Sequence, residues 1–77
     1  MRYFFHIRDE AGLIQDGEGG EFSSLKAALK EAAASARDFA VDDLRGGNPV
    51  KSRSIEITDE HGRVLETMAI RDVLIAG

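Results

Sequence analysis

The chain has 77 residues, with 10 basic and 14 acidic side chains, no cysteine, no tryptophan and a single proline. A chain this short buries only about 60% of the surface its unfolded form exposes, so one hydrophobic core exhausts it and a large enzyme fold is excluded. The formal net charge of -4 disfavours nonspecific binding to nucleic acid or an acidic membrane, and the lack of cysteine removes disulfides, thiolate zinc sites and cysteine nucleophiles together.

Residues 3–8, Tyr-Phe-Phe-His-Ile-Arg, are strand-forming types. Their alternation sends Tyr3, Phe5 and Ile7 toward a core and Phe4, His6 and Arg8 the other way. Asp9-Glu10-Ala11-Gly12 reads as a turn, because acidic side chains suit the bend and glycine accepts a positive φ. Leu13-Ile14-Gln15 then completes a hairpin as a second strand. Asp16-Gly17-Glu18-Gly19-Gly20-Glu21 has no apolar period and reads as a connecting loop.

Ser23 or Ser24 is the expected N-cap of a helix, with Phe22 as its hydrophobic staple. Leu25, Ala28, Leu29, Ala32, Ala36, Phe39 and Ala40 form one apolar stripe, while Lys26, Lys30, Glu31, Arg37 and Asp38 mainly face solvent. Gly46-Gly47-Asn48-Pro49 ends that helix after about twenty residues. Ser54-Ile55-Glu56-Ile57-Thr58 alternates as a third strand. Asp59-Glu60-His61-Gly62 forms a turn with Gly62 left-handed, and residues 63–68 form a fourth strand. The apolar run at residues 69–77 leaves several outcomes open: it extends the sheet, forms a terminal turn, packs loosely or docks on a partner.

The two hairpins echo one another: residues 7–12 lie over 57–62, with Phe5 over Ile55 and Ile14 over Val64. Shared turn requirements explain the echo, and the functional alternative is a pair of acidic turns around a ligand. The elements give a single α+β domain over residues 1–77, a two-layer β-β-α-β-β arrangement. It has a four-stranded, mainly antiparallel sheet with one long helix on one face. The expected core is Phe5, Ile7, Ile14, Leu25, Leu29, Ala32, Phe39, Ile55, Ile57 and Val64. Phe4, Leu13 and Leu65 are left for the second sheet face and, with Val73, Leu74 and Ile75 of the tail, are the expected interaction surface of a homodimer or a protein partner.

No catalytic, cofactor or metal residues are expected. His6 and His61 belong to no H-E-x-x-H signature, and Asp16 and Glu18 lack EF-hand spacing. Gly17, Gly19 and Gly20 form neither a P-loop nor a dinucleotide fingerprint, and the serines show no nucleophile elbow. Tyr3, Phe4 and Phe5 could stack on RNA bases only from alternating faces, and the RNP signatures are missing. The alternative partner, nucleic acid, would be met by Arg2, Arg8, Lys51, Arg53 and Arg63. No run approaches the roughly 20 apolar residues of a membrane span, and charge follows too soon after Met1 for a secretory signal, so a soluble cytoplasmic protein is expected.

Three segments together carry a family resemblance. These are Arg2-Tyr3-Phe4-Phe5-His6-Ile7-Arg8-Asp9, Glu21-Phe22-Ser23-Ser24-Leu25-Lys26-Ala27-Ala28, and the stretch Ile55-Glu56-Ile57-Thr58-Asp59-Glu60-His61-Gly62-Arg63-Val64-Leu65. In that order they resemble a bacterial family of small proteins, domain of unknown function 6894, across nearly the whole chain. The resemblance implies a cytoplasmic bacterial protein of this domain extent and implies no catalytic residue, cofactor or substrate. The glycine-rich connection and Glu66 depart from the family pattern. The expected role is a small non-enzymatic protein-interaction or regulatory domain with no specific small-molecule ligand.

Overall fold

A computed structural model of the chain describes residues 1–47 and 53–72. In chain order the elements are β1 (Arg2–Asp9), β2 (Gly12–Ile14), β3 (Gly20–Glu21), α1 (Leu25–Arg45), β4 (Ser54–Thr58) and β5 (Val64–Ala69). The sheet order is β2-β1-β4-β5, every pairing is antiparallel, and β3 pairs with the start of β1. The expected two-layer α+β arrangement is therefore present. The glycine-rich connection departs from the expected plain loop, because Gly20 and Glu21 pair with Tyr3 and Arg2 as a short fifth strand.

The helix forms where the apolar stripe and its caps agree. Ser24, not Ser23, is the N-cap: its Oγ accepts the Ala27 N–H at 3.1 Å. At the other end the Gly46 N–H bonds the Asp42 carbonyl and Gly47, at φ +75°, donates to the Leu44 carbonyl. Ala28, Ala32, Ala36 and Ala40 are all fully buried, so the helix meets the sheet through its smallest side chains and approaches closely. With Ser24 as the cap, Phe22 stands two positions before it, and it packs against the hydrophobic core. Its ring lies near those of Phe5 and Tyr3, with centroids 5.6 and 6.3 Å apart.

Ile55 and Ile57 of β4 and Ile70 have no exposure, and Tyr3 is also buried. Phe5, Ile7, Leu25, Leu29 and Phe39 pack around them. Two expected core residues lie outside. Ile14 is 63% exposed at the sheet margin, in a strand of three residues that the helix does not fully cover. Val64 is 54% exposed because β5 carries a bulge. Glu66 pairs with Ile57 but Val64 pairs with Thr58, so Leu65 is an extra residue and Val64 is switched out of the core-facing set. The tail begins tightly packed: Ile70 donates its N–H to the Arg53 carbonyl at 2.9 Å and starts a helical turn at residues 70–72. Asn48, Pro49, Lys51, Val73, Leu74 and Ile75, to which helix-stop and surface roles were assigned, lie outside the described residues.

The sequence echo has a geometric counterpart. In the central ladder Phe5 lies opposite Ile57 and Ile7 opposite Ile55, with His6 opposite Glu56. Exchanging the two hairpins leaves these pairs unchanged, so a local two-fold passes between His6 and Glu56. Both turns use the same chemistry. The Asp9 Oδ1 accepts the N–H groups of Ala11 and Gly12, and the Asp59 Oδ1 accepts those of His61 and Arg63. Gly12 and Gly62 both take positive φ, at 138° and 80°. Because β1 and β4 run antiparallel, the turns stand at opposite ends of the ladder and do not enclose a ligand between them.

Candidate functional site: the two sheet margins

On one side β1 pairs with β4 from Phe4 to Arg8, and the other side is covered piece by piece. β3 covers Arg2 and Tyr3, and β2 covers Ile7 to Asp9. The gap between them is filled by Asp16, whose Oδ2 accepts the Phe5 N–H at 3.2 Å and whose own N–H donates to His6 Nδ1 at 3.0 Å. The Asp16 Oδ1 also accepts from Gly19 and Glu18, so one side chain both folds the loop and docks it on the strand. Gly19 is required here: at φ +69° a Cβ would stand 2.8 Å from the Tyr3 carbonyl oxygen and from the Phe4 ring. Burial pushes the Asp16 carboxyl up, but the N–H groups of Gly19, Phe5 and Glu18, with the neighbouring His6, outweigh it and hold the group below its usual value.

His6 is oriented by the same contacts. Its Nδ1 accepts from Asp16, so in the neutral ring the proton sits on Nε2, which donates to Thr58 Oγ1 at 3.1 Å. That is the opposite of a nucleophile dyad, in which the ring would accept the hydroxyl proton. His61 lies exposed on the β4–β5 turn, whereas His6 is held within β1 by Asp16 and Thr58. Among the described residues no group of three or more His, Asp or Glu side chains is placed to hold a metal ion, and no helix is long and apolar enough to cross a membrane.

The uncovered sheet face is polar at its centre. Arg8 is ion-paired with Glu56, Thr58 receives His6, and Thr67 lies opposite Glu56. The expected surface residues are consequently divided. Phe4 lies in the row of Thr58 and Val64, and Leu13 lies opposite Arg8 toward the other end. Leu65 is the bulge residue, 38% exposed. The arginines suggested for nucleic acid are likewise dispersed and compensated: Arg2 faces Glu21, Arg8 Glu56, Arg53 Asp43 and Arg63 Asp59. Arg53 also lies over the Phe39 ring at 5.3 Å. The backbone N–H of Arg63, more than its guanidinium, holds the Asp59 carboxyl below its usual value.

Two apolar features remain. Between α1 and the β1–β2 hairpin lies a half-open cleft of about 300 Å³, lined by Phe5, Ile7, Ile14, Phe39 and Ile55 with Asp16 at its polar margin. At the far side of the sheet β5 pairs only with β4 among the described residues, and Val64 to Thr67 are all exposed. An edge strand of six residues presents backbone N–H and C=O groups that another strand can use. Val64 and Glu66, neither assigned to the surface from sequence, belong to this edge. The signal for Glu66 was present, since an alternation that sends Val64 and Met68 inward sends Glu66 inward as well.

This architecture defines a small two-layer α+β domain in which, among the described residues, β5 is the longest outer strand and the other margin is made of the short strands β2 and β3. A family model described as Domain of unknown function (DUF6894) matches residues 2–71, and the chain belongs to that family. No match was found among curated proteins or among solved structures.

Proposed function

We propose that the domain is a non-enzymatic protein-interaction module that takes up an extended segment of a protein partner along β5. The observation that supports this reading is the contrast between the two sheet margins. On the β1 side β3, Asp16 and the three-residue β2 occupy or shorten the edge, whereas β5 offers six consecutive residues, four of them exposed. Strand addition draws its affinity from main-chain hydrogen bonds and its specificity from side chains on alternate positions. Nucleic-acid binding has less support, because Arg2, Arg8, Arg53 and Arg63 each face a carboxylate.

A photoreactive side chain placed in turn at Leu65, Leu13 and Lys30 tests the reading in cells. Crosslinking to a discrete partner from Leu65 alone, mapping to an extended segment and accompanied by slowed amide exchange at Val64 to Thr67, is the expected result. Crosslinking from Leu13 or Lys30 without Leu65, or a complex that leaves the β5 amides unchanged, would overturn it.

A further inference from the structure

We infer that the segment taken up by β5 carries a lysine or arginine opposite Glu66, and that the same carboxylate disfavours pairing of β5 with a second copy of this chain in the antiparallel register centred on Glu66. The inference rests on strand addition at β5 and specifies its partner. Glu66 lies opposite Ile57, which is fully buried, so it occupies the helix-side face of the sheet at the margin. It is nevertheless exposed, and among the described residues it makes no ion pair. An inward-facing charge on an edge strand is a recognised device against indiscriminate pairing, and a bulge is another; here Glu66 and the extra residue Leu65 are adjacent.

The geometry gives the charge a sign preference. A second copy added antiparallel about Glu66 sets carboxylate against carboxylate, and like charges directly opposite one another destabilise a ladder. A foreign strand with a cation at that position replaces the repulsion by an ion pair on the same face. Its remaining positions meet Val64, Leu65 and Thr67, which suit β-branched neighbours. One residue thus supplies an attraction to one class of partner and a repulsion toward self.

Three synthetic extended peptides of alternating valine and threonine, differing only in lysine, threonine or glutamate at the centre, provide the test. Each is titrated into the full chain while the backbone amides are followed by NMR at two salt concentrations. The lysine peptide is expected to bind at Val64 to Thr67 roughly two- to twentyfold more tightly than the glutamate peptide, with threonine between them and the spread shrinking in high salt. Glu66→Lys should reverse the order. Equal binding of all three at β5 would overturn the charge inference while leaving strand addition intact; binding elsewhere, or none, would overturn both. In parallel, native mass measurement should find the unaltered chain without β5-mediated dimers and Glu66→Val with them. A dimer of the unaltered chain whose β5 amides are protected would contradict the self-exclusion.

Discussion

Replacing Asp16 probes the seal on the β1 edge. Asp16→Ala removes the acceptor for three N–H groups, those of Phe5, Gly19 and Glu18, at 3.1 to 3.3 Å. The Phe5 and Gly19 bonds are partly buried, whereas the Glu18 bond is exposed and contributes little. At about 0.5–1.5 kcal/mol for each of the two shielded bonds, the loss should be about 1–3 kcal/mol. Asp16→Asn keeps one carbonyl oxygen and should lose about half as much. Because the folded carboxyl titrates below its usual value of 3.8, its contribution is complete above that value and is lost as pH falls through the lower, folded value. Urea unfolding at pH 7 and at stepped pH values below 4 measures both effects, as a shift in midpoint at constant slope. The Asn variant should show less acid sensitivity than the parent over that window. A neutral Asp16→Ala, or an Asn variant with the parent's full acid dependence, would refute the assignment of Asp16 as the seal.

Gly19→Ala should cost about 1–3 kcal/mol by the same urea assay, since it combines a left-handed backbone with contacts at 2.8 Å to the Tyr3 carbonyl and the Phe4 ring. Ala36→Leu should destabilise by about 1–3 kcal/mol, because the helix meets the sheet at that fully buried position and has no room for the longer side chain. Ile55→Ala should cost about 2–5 kcal/mol, read as a lower unfolding midpoint, since Ile55 is among the largest fully buried side chains. An oligonucleotide titration at low salt should show no binding of the steep, salt-sensitive kind that unpaired arginines would give.

Local patterns made much of the fold legible. The alanine and leucine stripe with a serine before it specified α1, and the repeated acidic turns with glycine specified both hairpins. What escaped depends on contacts between distant parts of the chain. Asp16 looks like any acidic loop residue until its carboxylate is found on the Phe5 N–H, and a two-residue strand at Gly20 and Glu21 has no period to detect. Val64 was misplaced because one inserted residue, Leu65, reverses the facing of everything beyond it in the ladder. The residues expected at an interaction surface fall at separate places on the sheet. Leu65 lies exposed at the β5 margin and Phe4 in the nearby row of Thr58 and Val64, whereas Leu13 stands at the other end of the sheet, beyond the polar rows of His6, Arg8 and Glu56.

Amide hydrogen exchange on the isolated chain, resolved residue by residue, tests the contrast between the two edges most directly. A sealed β1 and an open β5 require slow exchange at Phe5, whose N–H is held by Asp16, and fast exchange at every second amide between Val64 and Thr67. Uniform protection along β5, or a rapidly exchanging Phe5, would contradict it.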